Sequence, residues 1–498
     1  MSTWPRSRDP DQDDVELANS PLEKAFLDNF KNALLASPEA VNNEDLVHVN
    51  FQGLHGIETL TYPTSVLLDF PELPSDYMIT QLHESFSSGW KSHILINNIS
   101  IPSSAQSQIA PYLKLAIACL SSTAPAIDQT DQSALAKTLF IASHALWTVM
   151  LEVDNREARA SESVVTAALL GVYATVSSDT KVWSNFEQQM LPSSITILRR
   201  LRLQESTPSD GAVTPQLLDA GTRTSLIGCF WLINVLGSLH LDIASCLTTN
   251  EIEMHLSSLG IRFQRAYRSL LDEDAFVPPG LGSREDAVLL LIAILCDFIC
   301  LRRSLRRLAR HVSQHLQQLN AVKSGKPSAV RTLYPPTLPH SEYGRMVDQL
   351  SIALDKWELT FRIGRSPNDL ALYFCCRLYI SCPELTLLPR LAGYAPVVQR
   401  MGLSNGPETI ETIELSDDSI GYAWSVLDNT CDPYPIWSPV IVFLAALVVW
   451  TNITCPKTSS ARTGSLKQIL PFKLELDQMP WPCCSEMSLT LNRLVHGS

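Results

Sequence analysis

Charge is what this sequence has least of. Asp, Glu, Lys and Arg make up 18% of its 498 residues, below the usual quarter for soluble domains. Their sum is −13, so the chain lacks the basic surface through which proteins neutralise nucleic-acid phosphates. Contact with DNA would have to come from another module or a partner. Reaction motifs are missing as well. Gly280–Leu281–Gly282 runs into Ser283–Arg284–Glu285 with neither a third glycine nor a strand before it, so it is no dinucleotide loop. There is no G-x-S-x-G elbow and no H-E-x-x-H helix. No catalytic, cofactor-binding or metal-binding residue is nominated, and no cofactor is expected.

Long apolar runs are also lacking. Val288 to Leu301 is interrupted by Asp297, and Val440 to Trp450 is short. Both fall below the ~20 residues of a spanning helix, so buried helices and no membrane are expected. The front of the chain, acidic and without an apolar centre, is not a signal peptide. The 12 cysteines are spread at ordinary density. Cys119, Cys229, Cys296, Cys300 and Cys375 sit in apolar stretches and read as small core hydrophobes, not as a disulfide framework.

What the sequence has in abundance is helical periodicity. Apolar residues make up 45% of the chain, enough for a large core. Leu135, Leu139, Ala142, Leu146, Met150 and Val153 form an i, i+3/i+4, i+7 stripe, predicting a helix over Ser133–Val153. Further helices are predicted over Val164–Val176, Ile195–Leu203, Arg223–Ser245, Asp286 to about Asn320, 344–362, 367–380, Ile420–Leu427 and 439–452. Ser438–Pro439 supplies a cap and a first-turn proline to the last of these. Pro192, Pro208, Gly211 and Pro215 break the stretch 177–222. Only His93–Ile101 alternates as a strand should. The fold class expected is all-α, a large multi-helix bundle-like regulatory domain. Its divisions are an acidic, weakly ordered segment 1–60, a helical domain 65–455 and an irregular tail 456–498. In segment 1–60, acidic side chains mix with Leu17, Leu22, Phe26, Leu27 and Phe30. That is the composition of an activation segment or of a solvated tail.

Two constellations have a functional and a plain reading. Cys296-x3-Cys300 followed by His311-x3-His315 has the residue types of a zinc finger. A finger needs a hairpin for its cysteines, whereas all four residues here fall on one continuous helix. At 1.5 Å per residue, Cys300 and His311 lie ~16 Å apart, beyond any shared zinc with ~2.0–2.3 Å bonds. Arg302, Arg303, Arg306, Arg307 and Arg310 on the same helix suit phosphate contact or nuclear import, but read first as a solvated basic face.

Arg223 to Leu256 reads RTSLIGCFWLINVLGSLHLDIASCLTTNEIEMHL. It resembles the central motif of the fungal-specific transcription factor domain, the middle homology region. Matching residues are the basic Arg223, the aromatic pair Phe230–Trp231, Leu236, the Glu251–Ile252–Glu253 step and Leu256. Tyr77–Ser121 is similar to the family's opening helices, and Leu139–Trp183 to the pair that follows. Ala423–Asp428 with Pro435, Trp437 and Phe443–Trp450 resembles its close, nearest to the branch linked to two-Cys, two-His fingers. Gly237 and Ser257 depart from the pattern. The family's zinc-binding reader has no counterpart, since no cysteine precedes Cys119.

The resemblance implies a nuclear transcription regulator without its own zinc module, truncated or acting through partners. Those partners would be other regulators or coactivators, with a homodimer possible and DNA reached only indirectly. The alternative is a helical enzyme or interaction scaffold of fungal secondary metabolism. Trp147, Phe230, Trp231, Trp424 and Trp450 are expected in the core, with an effector pocket as the rival reading.

Overall fold

The computed structural model describes residues 46–53, 56–63, 70–90, 93–99, 109–123, 129–153, 160–201, 203, 220–256, 260–323, 340–361, 365–400, 413, 415–454 and 465–496. Most of segment 1–60, with its acidic and apolar mixture, lies outside these residues. The fold is all-α, as its periodicity predicts. The helices are α1 (Asp76–Gly89), α2 (Pro111–Ser121), α3 (Gln129–Val153), α4 (Ser161–Val176), α5 (Thr180–Asn185) and α6 (Leu191–Arg200). Then come α7 (Ala220–Leu241), α8 (Phe263–Leu271), α9 (Arg284–Lys323), α10 (His340–Thr360), α11 (Pro367–Ser381), α12 (Leu388–Leu391) and α13 (Ala395–Arg400). The last four are α14 (Ser419–Asp428), α15 (Ser438–Thr454), α16 (Leu470–Gln478) and α17 (Cys483–His496). One antiparallel hairpin, β1 (Leu46–Gly53) with β2 (Gly56–Pro63), pairs Val49 with Leu60. The only sheet among the described residues therefore lies where no strand is predicted.

The first helices gather around α2, which packs on α1, α3 and α4. The later ones gather around α11 and α15, with α9, α10, α14, α16 and α17 alongside. Helix α7 touches both groups, meeting α4, α9 and α15. It is apolar on every side, and Leu226, Ile227, Phe230, Trp231, Ile233 and Leu236 are fully buried. At ~1.5–3 kcal/mol for each large side chain removed from water, such a helix is stable only when enclosed all round.

Helix α7 ends four residues before the predicted Ser245. Asp242 adopts φ +52°, a left-handed conformation that Asp tolerates better than most residues. The Ile243 amide then donates to the Gly237 carbonyl, a closure one residue wider than that of a Schellman turn. No glycine marks this stop. Pro192 does not break its helix as expected. A π turn over Phe186–Met190 joins α5 to α6, the Leu191 amide bonding the Phe186 carbonyl. This wider turn absorbs the proline's missing donor and its clash one turn back.

Two further expectations are corrected. His93–Ile99 forms successive turns and not a strand, because Ile94, Leu95 and Ile96 are buried consecutively, leaving no alternating face. The tail expected to be irregular carries α16 and α17. Phe472, Leu476, Met487 and Leu491 seal it against the core with no exposed surface. The windows Ser133–Leu151 and Gly221–Leu241 are long and apolar enough to cross a membrane, and 50% and 94% of them respectively are buried inside the protein.

Close packing here is testable at two glycines. A Cβ on Gly171 would lie 2.5 Å from the Phe186 ring and 2.7 Å from Ile233, whereas one on Gly421 meets nothing within 4 Å. Gly171→Ala is expected to destabilise by about 1–3 kcal/mol through overpacking. Gly421→Ala, in α14, is expected to stabilise by up to ~1 kcal/mol through helix propensity. Urea denaturation midpoints of the two variants read both outcomes.

Candidate functional site

The N-terminus of α11 begins Ser366–Pro367–Asn368–Asp369, a capping box with proline in the first turn. The Ser366 side chain accepts from the Asp369 amide, and the Asp369 carboxylate accepts from the Ser366 amide at 3.2 Å. That same carboxylate binds a second helix. Arg284, the first residue of α9, donates to it through Nε at 2.7 Å and Nη2 at 2.9 Å. The Asp369 side chain is 2% exposed and that of Arg284 37%. This bidentate pairing pushes the guanidinium pKa above its ordinary value against the opposing effect of burial.

Asn368 clamps a third segment. Its amide nitrogen donates to the carbonyls of Cys431 (2.8 Å) and Pro433 (3.1 Å), and its side-chain oxygen accepts from the Cys431 amide at 3.1 Å. The Trp437 indole in turn donates to the Asn368 carbonyl at 3.3 Å. The turn after α1 brings in His93, whose ring lies tilted against Trp90 (4.5 Å) and edge-on to Trp481 (5.4 Å). Together these segments enclose a cleft of about 190 Å³. Ile94, Pro367, Pro433 and Trp437 supply its apolar wall, and Arg284, Asn368 and His93 its polar groups. Burial lowers the His93 pKa to about 4, so the imidazole is neutral at pH 7 and offers one donor and one acceptor.

In the sequence Trp437 and Pro435 stood out only as part of a resemblance, His93 as the start of an expected strand and Arg284 after a rejected glycine loop, none of them as a site. The signal was present in S-P-N-D, whose reciprocal cap is readable at sequence level. The union of Arg284 and Asp369, 85 residues apart, was not.

A second polar group lies where Asp297 interrupts its apolar run. Thr249 Oγ1 at 2.8 Å and Tyr267 Oη at 2.7 Å donate to this carboxylate. Burial nevertheless raises its pKa against both hydrogen bonds. Thr249 opens the turn Thr249–Glu251, which Thr248 and Glu251 close as a capping box. Arg199 meets Glu251 at 2.7 Å. The Glu251–Ile252–Glu253 step of the resemblance is thus a locked turn with Ile252 fully buried.

The other sequence candidates find their places. Cys296, Cys300, His311 and His315 all lie on α9, and the side chains of the two histidines are outside the described residues. Among the described residues no group of three or more His, Cys, Asp or Glu is placed to hold a metal. Cys119, Cys229, Cys296 and Cys375 are buried and Cys300 is half-buried.

The arginine cluster is not the solvated face expected. Arg303 pairs with Asp242 at 2.7 Å. Arg306 donates to Thr386 and to the Pro383 carbonyl. Arg302 lies over the Tyr343 ring and reaches the Ile380 carbonyl. Half-buried Arg302 and Arg306 brace the C-terminal end of α11, where cations are favoured, and Arg303 the turn that ends α7. The side chains of Arg307 and Arg310 lie outside the described residues. Trp147, Phe230 and Trp231 are core, while Trp424 and Trp450 are half-buried, and none of the five lines the cleft.

No protein-family model, curated protein or solved structure matches this chain.

Two outcomes follow. Asp369→Ala removes a cap and strands Arg284, so it is expected to cost about 2–4 kcal/mol in denaturant unfolding. Burial also holds His240 near pKa 4, although its bond to the Leu236 carbonyl acts in the opposite direction. His93 and His240 thus bind protons more readily unfolded than folded between pH 6.5 and pH 4. Stability should be full above 6.5 and fall through that window by about 3 kcal/mol per site. The carboxyls of Asp179 and Asp477, where pairing with Lys137 and Lys473 overcomes burial, act only below the ordinary 3.8. Unfolding free energy against pH for the parent chain and His93→Phe separates the two ranges.

Proposed function

We propose that this chain is the regulatory region of a fungal transcription regulator, working in the nucleus and reaching DNA through protein partners. The observation that carries the reading is the behaviour of Arg223–Leu256. Its matching residues fall into one structural unit, made of a helix enclosed on all sides, a left-handed turn at Asp242 and a capped Glu–Ile–Glu step. A motif with a single structural job is what a family signature within a large helical domain requires.

A partner-contact point supports the same reading. The loop after α8 reads Asp272–Glu273–Asp274–Ala275–Phe276, and Phe276 is 97% exposed. The loop is held by Lys356 of α10, whose Nζ donates to the carbonyls of Ser269 (3.2 Å), Asp272 and Ala275 (2.7 Å). A pre-ordered aromatic beside three carboxylates is a low-entropy anchor for another protein. The cleft with its neutral His93 favours the second reading, a helical enzyme of fungal secondary metabolism.

The test is to tether the full chain to a heterologous DNA-binding module and measure reporter transcription. Output changed by the tethered chain, and returned toward that of the module alone by Phe276→Ala, is the expected result. An anchor of this kind contributes about 2 kcal/mol, or roughly 30-fold in partner affinity. The same substitution should alter folding stability by less than ~0.5 kcal/mol, because the ring is in water. Output identical to that of the module alone, with the fusion expressed and nuclear, would refute the proposal.

A further inference from the structure

The geometry points to the cleft between the first turns of α9 and α11 as a binding site for a compact organic carboxylate with an apolar, ring-sized body. The inference stands apart from the transcriptional reading, and a regulator and an enzyme would both use such a site.

Size sets the first limit. An apolar protein cavity of about 150 Å³ accommodates benzene. The cleft holds about 190 Å³, roughly 40 Å³ more. That remainder exceeds the ≈30 Å³ share of one water and suits one small polar group on a single ring. The wall formed by Ile94, Pro367, Pro433 and Trp437 matches such a body.

Charge sets the second limit. Arg284 spends Nε and Nη2 on Asp369, and its Nη1 makes no hydrogen bond among the described residues. Two long helices begin at the cleft, the 40-residue α9 at Arg284 and the 15-residue α11 at Pro367. Each N-terminus contributes roughly half a positive charge. The opposing carboxylate at the cleft, Asp432, is exposed at its mouth, where solvent screens it. Asp369 and Arg284 neutralise each other, and Glu285 and the buried Asp286 in the first turn of α9 offset that helix's dipole. The contact left for an anionic group is the Nη1 donor of Arg284 beside the start of α11, and a carboxylate matches the guanidinium edge in shape. Neither ring nitrogen of His93 is hydrogen-bonded within the described residues, so the neutral imidazole is available to orient a bound carboxylate without adding charge.

Benzoate is the probe of this size and charge, and benzamide its neutral isostere. Calorimetry on the full chain is expected to give saturable benzoate binding with a dissociation constant of about 1 mM or tighter. Benzamide should bind at least about tenfold more weakly, since a charge-assisted contact is lost. Photolysis with 4-azidobenzoate should label peptides covering 366–368 or 431–437, and excess benzoate should suppress the labelling. His93→Phe keeps the ring packed on Trp90 and Trp481 and should weaken benzoate binding. Arg284→Gln should abolish it in protein whose circular dichroism is unchanged. If Arg284→Gln fails to fold, the labelling map on the parent chain decides. Absence of saturation up to about 10 mM, equal affinity for benzoate and benzamide, or labelling confined to other peptides would each overturn the assignment. Loss of the reporter effect with benzoate binding intact would defeat the transcriptional reading alone.

Discussion

A helix with no polar side cannot lie on a surface, and α7 is such a helix. Ile227, Phe230, Trp231, Ile233 and Leu236 are spread around its circumference, all without exposed surface. The hydrophobic effect is non-directional and proportional to area, so the chain must supply cover on every side of this cylinder. It does so with α4 from the first group of helices and α9 and α15 from the second. The division of the protein into two groups joined by a shared helix follows from that demand. Glycine makes the closest approaches possible. At Gly228 an added Cβ would fall 2.9 Å from Leu95, and at Gly237 it would fall 2.7 Å from Trp183.

Three charged groups within the fold tie together elements distant in sequence. Asp369 joins α9 to α11 while capping one of them. Asp297 fixes the turn after α7 through Thr249 and holds α8 through Tyr267. Arg303 reaches back to the left-handed Asp242. A buried carboxylate left alone is costly, so each fixes the relative placement of the helices supplying its donors. Asp297, the single charge in its apolar run, is therefore a register device within the core.

The helices were legible because their signals are local. The spacing of Leu135, Leu139, Leu146 and Met150, or the cap before 439–452, needs no knowledge of the rest of the chain. Boundaries were legible where glycine or proline marked them, or where the apolar run gave way to polar residues as after Val176. The end of α7 was missed because an aspartate takes the left-handed position. Pro192 misled because a π turn admits it. The hairpin escaped because its alternation is brief, and His93–Ile99 misled because burial on both sides removes the alternating face. The last helices were obscured by Pro480, Pro482 and the adjacent cysteines, although α16 and α17 bury Phe472 and Leu491 completely.

The candidate site was less legible for a reason that follows from the fold. Its residues come from the turn after α1, from two helix starts and from the segment before α15, and no two segments are neighbours in sequence. One local sign existed, the S-P-N-D cap, but a cap ordinarily ends its work at the helix. Here Asp369 serves Ser366 and Arg284 together, and Asn368 serves Cys431 and Pro433. Because each polar side chain is already fixed by its neighbours, the cleft does not need to reorganise on binding, and the entropic cost falls mainly on the ligand. The arginine cluster makes the contrasting case. It was conspicuous in sequence, yet Arg302, Arg303 and Arg306 are turned to carbonyls, a carboxylate and a tyrosine ring within the fold. In a chain so short of charge, density in sequence marks where the fold needs bracing. At the cleft, Arg284 keeps one guanidinium nitrogen, Nη1, outside its pairing with Asp369.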